Sequence, residues 1–137
     1  MSKLVRLSLA ACFLLAANSQ DLNSTKNASV ERGKYIVEGV AMCGRCHTPH
    51  DERREPERMY WLMGAPIQKQ PTYPEPNWAI RAPRIAGSPP GTDYQFITLL
   101  TTGISRTGKP PKPPMPSFRM TTTDAESVLA YLKSLHR

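Results

Sequence analysis

Three segments with apolar residues at helical spacing, 14 prolines and 8 glycines in 137 residues, and no stretch that alternates well enough for a strand predict an all-α domain of three to four short helices joined by long proline-rich loops. The length allows one domain around one core, and no self-similar period suggests a duplicated module.

The first segment, MSKLVRLSLAACFLLAANSQ, sets Lys3 and Arg6 before an apolar run from Leu7 to Ala17, with small residues just beyond. This is the layout of a secretory signal peptide over 1–19. The run is shorter than the roughly 20 residues that span a bilayer, so cleavage near Ser19 is expected, with an uncleaved anchor as the alternative. Residues 20–28, QDLNSTKNA, are polar without apolar period and read as a flexible linker before a domain over 29–137.

Ser29 is a good N-cap for VERGKYIVEGVA, in which Val30, Gly33, Val37 and Val40 share one face with Ile36 beside them. Thr92 followed by Gln95 forms a capping box for a second helix, with Phe96, Ile97, Leu99 and Leu100 as its apolar stripe and Gly103 as its stop. The last helix starts at Thr121 or Thr123 and buries Ala125, Val128, Leu129, Leu132 and Leu135. Between these helices lie the proline-rich stretches, roughly 64–90 and 109–116.

The formal charge is +7; removal of Lys3 and Arg6 leaves 16 basic residues against 11 acidic ones, or +5. A moderate basic excess suits an acidic partner or a negatively charged surface, including a membrane surface. The chain has no concentrated Lys/Arg run, and with an export signal this speaks against nucleic acid. The mixed-sign cluster from Asp51 to Arg58 reads as a solvated loop without an acid/base pair.

Once the leader is removed, Cys43 and Cys46 are the remaining cysteines, in an exported setting where an unoccupied pair would oxidise. They stand in Cys43-Gly44-Arg45-Cys46-His47, the C-x-x-C-H haem-attachment pattern. Two thiols two residues apart can add to both vinyl groups of a haem from one turn of chain, and the next side chain, His47, can then deliver a ring nitrogen to the iron. A bare C-x-x-C also fits a thiol redox pair, and His50 at the H-x-x-H spacing fits half of a zinc site. The amphipathic helix leading into the motif, where a thioredoxin-like site would have a strand, favours haem.

From about Ser29 onward the chain resembles the class I monohaem cytochrome c family, and in particular the modules that take electrons from periplasmic dehydrogenases. The resemblance rests on Gly33 and Tyr35, on CGRCHTPHD, on KPPKPPMPSFRMTTTDAESVLAYLKSL, and on their order. It implies a cytochrome c-like fold around one covalent haem c, with Cys43 and Cys46 as thioether anchors, His47 as proximal iron ligand and a late methionine as the distal one. It also implies that a mid-chain proline carbonyl, here Pro83 in Ala82-Pro83-Arg84, accepts the proton of the proximal imidazole, and that Gly33 and Tyr35 meet Tyr131 and Leu132 where the terminal helices cross. Relatives often carry arginine where His50 stands and Pro-Asn where this chain has Pro83-Arg84.

Met115, Met120, Met63 and Met59 are the candidates for the distal thioether. Met115 lies in Pro113-Pro114-Met115-Pro116, where fixed backbone angles forbid helix and hold the chain extended, and it is preferred. Met120 is the alternative, although its place before Thr121 suggests a hydrophobic staple. His50 lies too close to His47 to reach the opposite haem face, and His136 is penultimate. Arg81, Arg84 and Trp78 are candidate propionate donors.

The predicted function is one-electron transfer by a carrier that is not itself an enzyme, exported to the periplasm, with association with a membrane as the alternative. Its partners would be redox proteins with an acidic docking surface, a dehydrogenase as donor and an oxidase or other acceptor, met by Arg45, Arg106, Lys109 and Lys112. A haem enzyme or gas sensor with an open distal site, and a dedicated cytochrome subunit of a dehydrogenase complex, are the alternatives.

Overall fold

The computed structural model describes residues 24–135. The leader 1–19, the start of the linker and His136 lie outside the described residues. The first helix, α1, is already running at residue 24 and continues to 35, so the helical segment begins earlier than Ser29. Nothing in Ser24–Ala28 stops a helix: it holds neither Pro nor Gly, and a turn nucleated by packing further along extends readily. Ser29 is inside the helix, and its Oγ lies 3.4 Å from Ser127 Oγ instead of capping.

At Ile36–Val40 the helix widens into a π turn, closed by the Ala41 N–H on the Ile36 carbonyl at 2.7 Å. The wider turn changes the helical phase. Ile36 and Val37 stay buried, whereas Val40, expected on the same face, is 56% exposed. The chain then makes a four-residue helix α2, Gly44–His47, and a 3₁₀ turn, Arg58–Tyr60. Two-residue strands β1, Ala65–Pro66, and β2, Arg81–Ala82, pair antiparallel with Ala65 opposite Ala82. Strands this short cannot alternate, which is why no period announced them.

Helix α3, Asp93–Thr102, has the full capping box: the Thr92 hydroxyl accepts from Gln95 N, the Gln95 side chain accepts from Thr92 N, and Gly103 ends the helix at φ 69°. Helix α4, Thr122–Ser134, is capped by Thr121, whose hydroxyl accepts from Asp124 N. Its buried stripe packs with Ile36, Val37, Leu62, Phe96 and Leu100 into one core.

The terminal helices cross at Gly33. A Cβ there would lie 1.9 Å from the Ser127 carbonyl oxygen and 2.8 Å from Tyr131 Cβ, so only glycine admits so close an approach. Tyr131 is buried at this crossing, but Tyr35 is 59% exposed, with the Arg32 guanidinium over its ring. Two residues from both Gly33 and Val37, Tyr35 lies off the Val30–Gly33–Val37 face, and Ile36 and Val37 are the buried residues there.

Candidate functional site

Between the π turn and α2, Met42 adopts a left-handed backbone with φ 49°, which turns the chain from α1 toward the core. The Cys43 N–H reaches back to the Val37 carbonyl at 2.9 Å, and the Cys43 carbonyl accepts from His47 N at 2.9 Å. Cys43, Cys46 and His47 are thereby held on one turn of helix. The loop 62–64 pins that turn from outside: Gly64 N donates to His47 O at 2.7 Å, and Leu62 N donates to the buried Thr48 hydroxyl at 2.9 Å.

His47 is buried, and its Nδ1–H donates to the Pro83 carbonyl at 2.7 Å, which leaves Nε2 free. Burial pushes the imidazole below its ordinary pKa, opposed in part by the Pro83 hydrogen bond, so the ring is neutral at pH 7. A neutral imidazole with one nitrogen tied to a backbone carbonyl is the form that ligates a metal. Burial also pushes the Cys43 thiol up to about 11, far above the range of a reactive redox thiolate.

Cys43, Cys46, His47, Pro83, Met115 and Met120 all line one cavity of about 250 Å³. Its remaining wall is largely apolar, drawn from Phe96, Leu99 and Leu100 of α3, Val128 and Leu132 of α4, and Phe118. Both cysteines, the buried histidine and the two methionines thus line one and the same largely apolar hollow. This fits a flat apolar macrocycle whose metal takes a side chain on each face.

The two methionines are held differently. Met120 N donates to Leu100 O at 2.9 Å, and its side chain packs against the core cluster. Met115 lines the cavity outside that cluster, on a turn closed by its own N–H on the Lys112 carbonyl at 3.2 Å. The segment was expected to be extended; the proline φ angle is equally compatible with a turn, and the contacts select it. The Pro113 carbonyl accepts from Ala79 N at 2.7 Å, tying this turn to the loop before β2.

The other candidates fall elsewhere. Met63 packs against the core, and Met59 is 72% exposed. His50 lines a separate cleft with Arg45, Arg54 and Lys69, and among the described residues no three or more His, Cys, Asp or Glu converge as for a metal ion. Trp78 Nε1 donates to the Lys69 carbonyl at 2.8 Å and Arg84 Nε to the Ala86 carbonyl at 2.8 Å, so those groups serve loop closure. Arg106 lines the cavity, as its candidacy for the edge requires. Sequence reasoning passed over Met42, which also lines the cavity, and Trp61, described below; neither belongs to a motif or a periodic stripe that would have marked it.

Fold and site together define a small all-α haem-attachment domain. The cytochrome c family profile matches residues 30–136, and the chain belongs to the cytochrome c family. It is 27% identical over 121 residues, 81% of this chain, to the fructose dehydrogenase cytochrome subunit of Gluconobacter japonicus. It is also 47% identical over 36 residues, 26% of this chain, to a diheme cytochrome c-type protein of Cereibacter sphaeroides. The chain spans only 23% of the first relative's length and 12% of the second's. Membership of the family carries covalent haem c binding and electron transfer.

Proposed function

We propose that this chain holds one haem c through Cys43 and Cys46, with His47 and Met115 as axial iron ligands, and passes single electrons between exported redox proteins. The observation that carries the reading is the convergence of both cysteines, His47 and Met115 on one apolar cavity. Bound there, haem supplies a one-electron iron couple, and a thioether ligand favours its reduced form. Pro83 orients the proximal ring and raises its basicity through the 2.7 Å bond. The apolar wall excludes water, and Met115, outside the packed core, is preferred over Met120, whose side chain has a packing role.

The segment from Tyr94 to Thr123 contains no Asp or Glu but holds Arg106, Lys109, Lys112 and Arg119. Among the described residues none of the four forms an ion pair. This basic strip beside the methionine turn suits an acidic docking face on the electron donor or acceptor. The leader 1–19 supports export to the periplasm; among the described residues no helix is long and apolar enough to cross a membrane. The likeness to a fructose dehydrogenase cytochrome subunit favours a second reading, service as the cytochrome module of a dehydrogenase complex. Co-purification with a larger dehydrogenase subunit separates it from a free carrier.

The ligand assignment is tested by the reduced spectrum and carbon monoxide binding at neutral pH in wild type, Met115→Ala and Met120→Ala. Wild type and Met120→Ala are expected to exclude carbon monoxide, and Met115→Ala to bind it. An unaltered spectrum in Met115→Ala overturns the assignment, and binding by the wild type favours an open-site sensor or enzyme.

A further inference from the structure

We infer that Trp61 is a positioning residue for the haem-attachment turn, held against its back by a ring of side chains from the π turn, the 3₁₀ turn and α4. This rests on the assignment of Cys43, Cys46 and His47 as haem anchors. A Cβ added at Gly44 would lie 2.3 Å from the Trp61 six-membered ring. The indole therefore occupies the space that any side chain at the second position of Cys43-Gly44-Arg45-Cys46-His47 would need.

The indole cannot swing away without breaking two contacts, one of them to a hydroxyl that is itself anchored. Its Nε1–H donates to Tyr131 Oη at 3.3 Å, Tyr131 in turn donates to Glu38 Oε1 at 2.7 Å, and the Arg58 guanidinium lies 4.3 Å from the indole ring centre. Arg58 also approaches Glu38 Oε2 at 3.7 Å, which closes the ring of four side chains. A charge over an aromatic face and a charge-assisted hydrogen bond are each stronger than their neutral counterparts. Glu38 belongs to the π turn, so the irregular turn has a use: it contributes the carboxylate that anchors the Tyr131 hydroxyl.

The clamp bears on the face of the turn away from the cavity. From that side it fixes where the two sulfurs and the His47 ring point, and with them the Nδ1–H to Pro83 bond that makes the imidazole a stronger donor to oxidised iron. A loosened clamp weakens that bond and shifts the redox equilibrium toward the reduced form.

The test compares wild type, Trp61→Phe, Trp61→Leu, Gly44→Ala and Gly44→Ala/Trp61→Leu by covalent haem per chain, by midpoint potential and by thermal unfolding. Trp61→Leu is expected to raise the reduced-to-oxidised ratio at fixed potential at least threefold, and Trp61→Phe, which keeps a ring on Gly44, to recover most of it. Gly44→Ala should behave like Trp61→Leu in the wild-type background and add less than twofold once Trp61 is gone. A potential unchanged in Trp61→Leu and Gly44→Ala overturns the inference even if stability drops, as does full additivity in the double variant. Tyr131→Phe keeps the core ring and removes only the hydroxyl; it should shift the potential in the same direction, and no shift counts against the clamp. Wild type without covalent haem refutes the haem assignment itself, a separate outcome.

Discussion

Gly33→Ala probes the architecture at its tightest point. The added Cβ would sit 1.9 Å from the Ser127 carbonyl oxygen, where ordinary contact begins at 3.4 Å, so α1 and α4 must separate by about 1.5 Å. The obstacle is the Ser127 backbone and the Tyr131 Cβ, neither of which can rotate aside. Overpacking of this kind costs ~1–3 kcal/mol, and here the cost belongs at or above the upper end because Ile36, Val37, Val128 and Leu132 all lose contact as the helices part. Alanine recovers ~1 kcal/mol of helix propensity. The net loss is about 2 kcal/mol, which lowers the unfolding midpoint by roughly 8 °C in a domain of this size. Thermal unfolding of the haem-loaded protein, followed by circular dichroism, is the assay. A midpoint that is unchanged or higher would mean that propensity alone operates and that the helices do not cross at Gly33.

Three further outcomes follow from the same contacts. Leu132→Ala empties a fully buried site on α4 that also borders the haem cavity, and should destabilise the protein by ~2–5 kcal/mol in denaturant titration. Burial and the Glu38 hydrogen bond push the Tyr131 hydroxyl from 10.0 up to about 12; the unfolded chain then loses its proton first, so stability should decline from pH 10 toward pH 12. Tyr131→Phe should show a shallower decline over that window, and parallel curves for the two proteins would exclude Tyr131 as a source of it. Electron transfer to an acidic partner should slow between ~0.01 M and ~0.15 M salt as the screening length falls from ~30 to ~8 Å; equal rates, or an equal rate in Lys112→Glu, would remove the basic strip from docking.

What the residues disclosed in advance was whatever depends on neighbours in the chain. The Thr92–Gln95 box, the Gly103 stop, the Thr121 cap and the α4 stripe are local devices. Gly33 at the helix crossing and the Pro83 partner of His47 came from the family likeness, and the contacts at both places agree with it. Features set by distant contacts were not legible. The π turn that exposes Val40, the Ser29–Ser127 contact, the outward Tyr35 and the β1–β2 pair depend on how α1 meets the loops and α4. Trp61 was hidden for the same reason, because its partners Gly44 and Tyr131 lie far from it along the chain.

The central claim, one haem held covalently by Cys43 and Cys46, is tested most directly by the intact mass of the denatured protein, with Cys43→Ser/Cys46→Ser as control. The expected result is the mass of the chain plus a single haem, lost in the double variant. A chain mass without haem, or a haem that survives both substitutions, would contradict it.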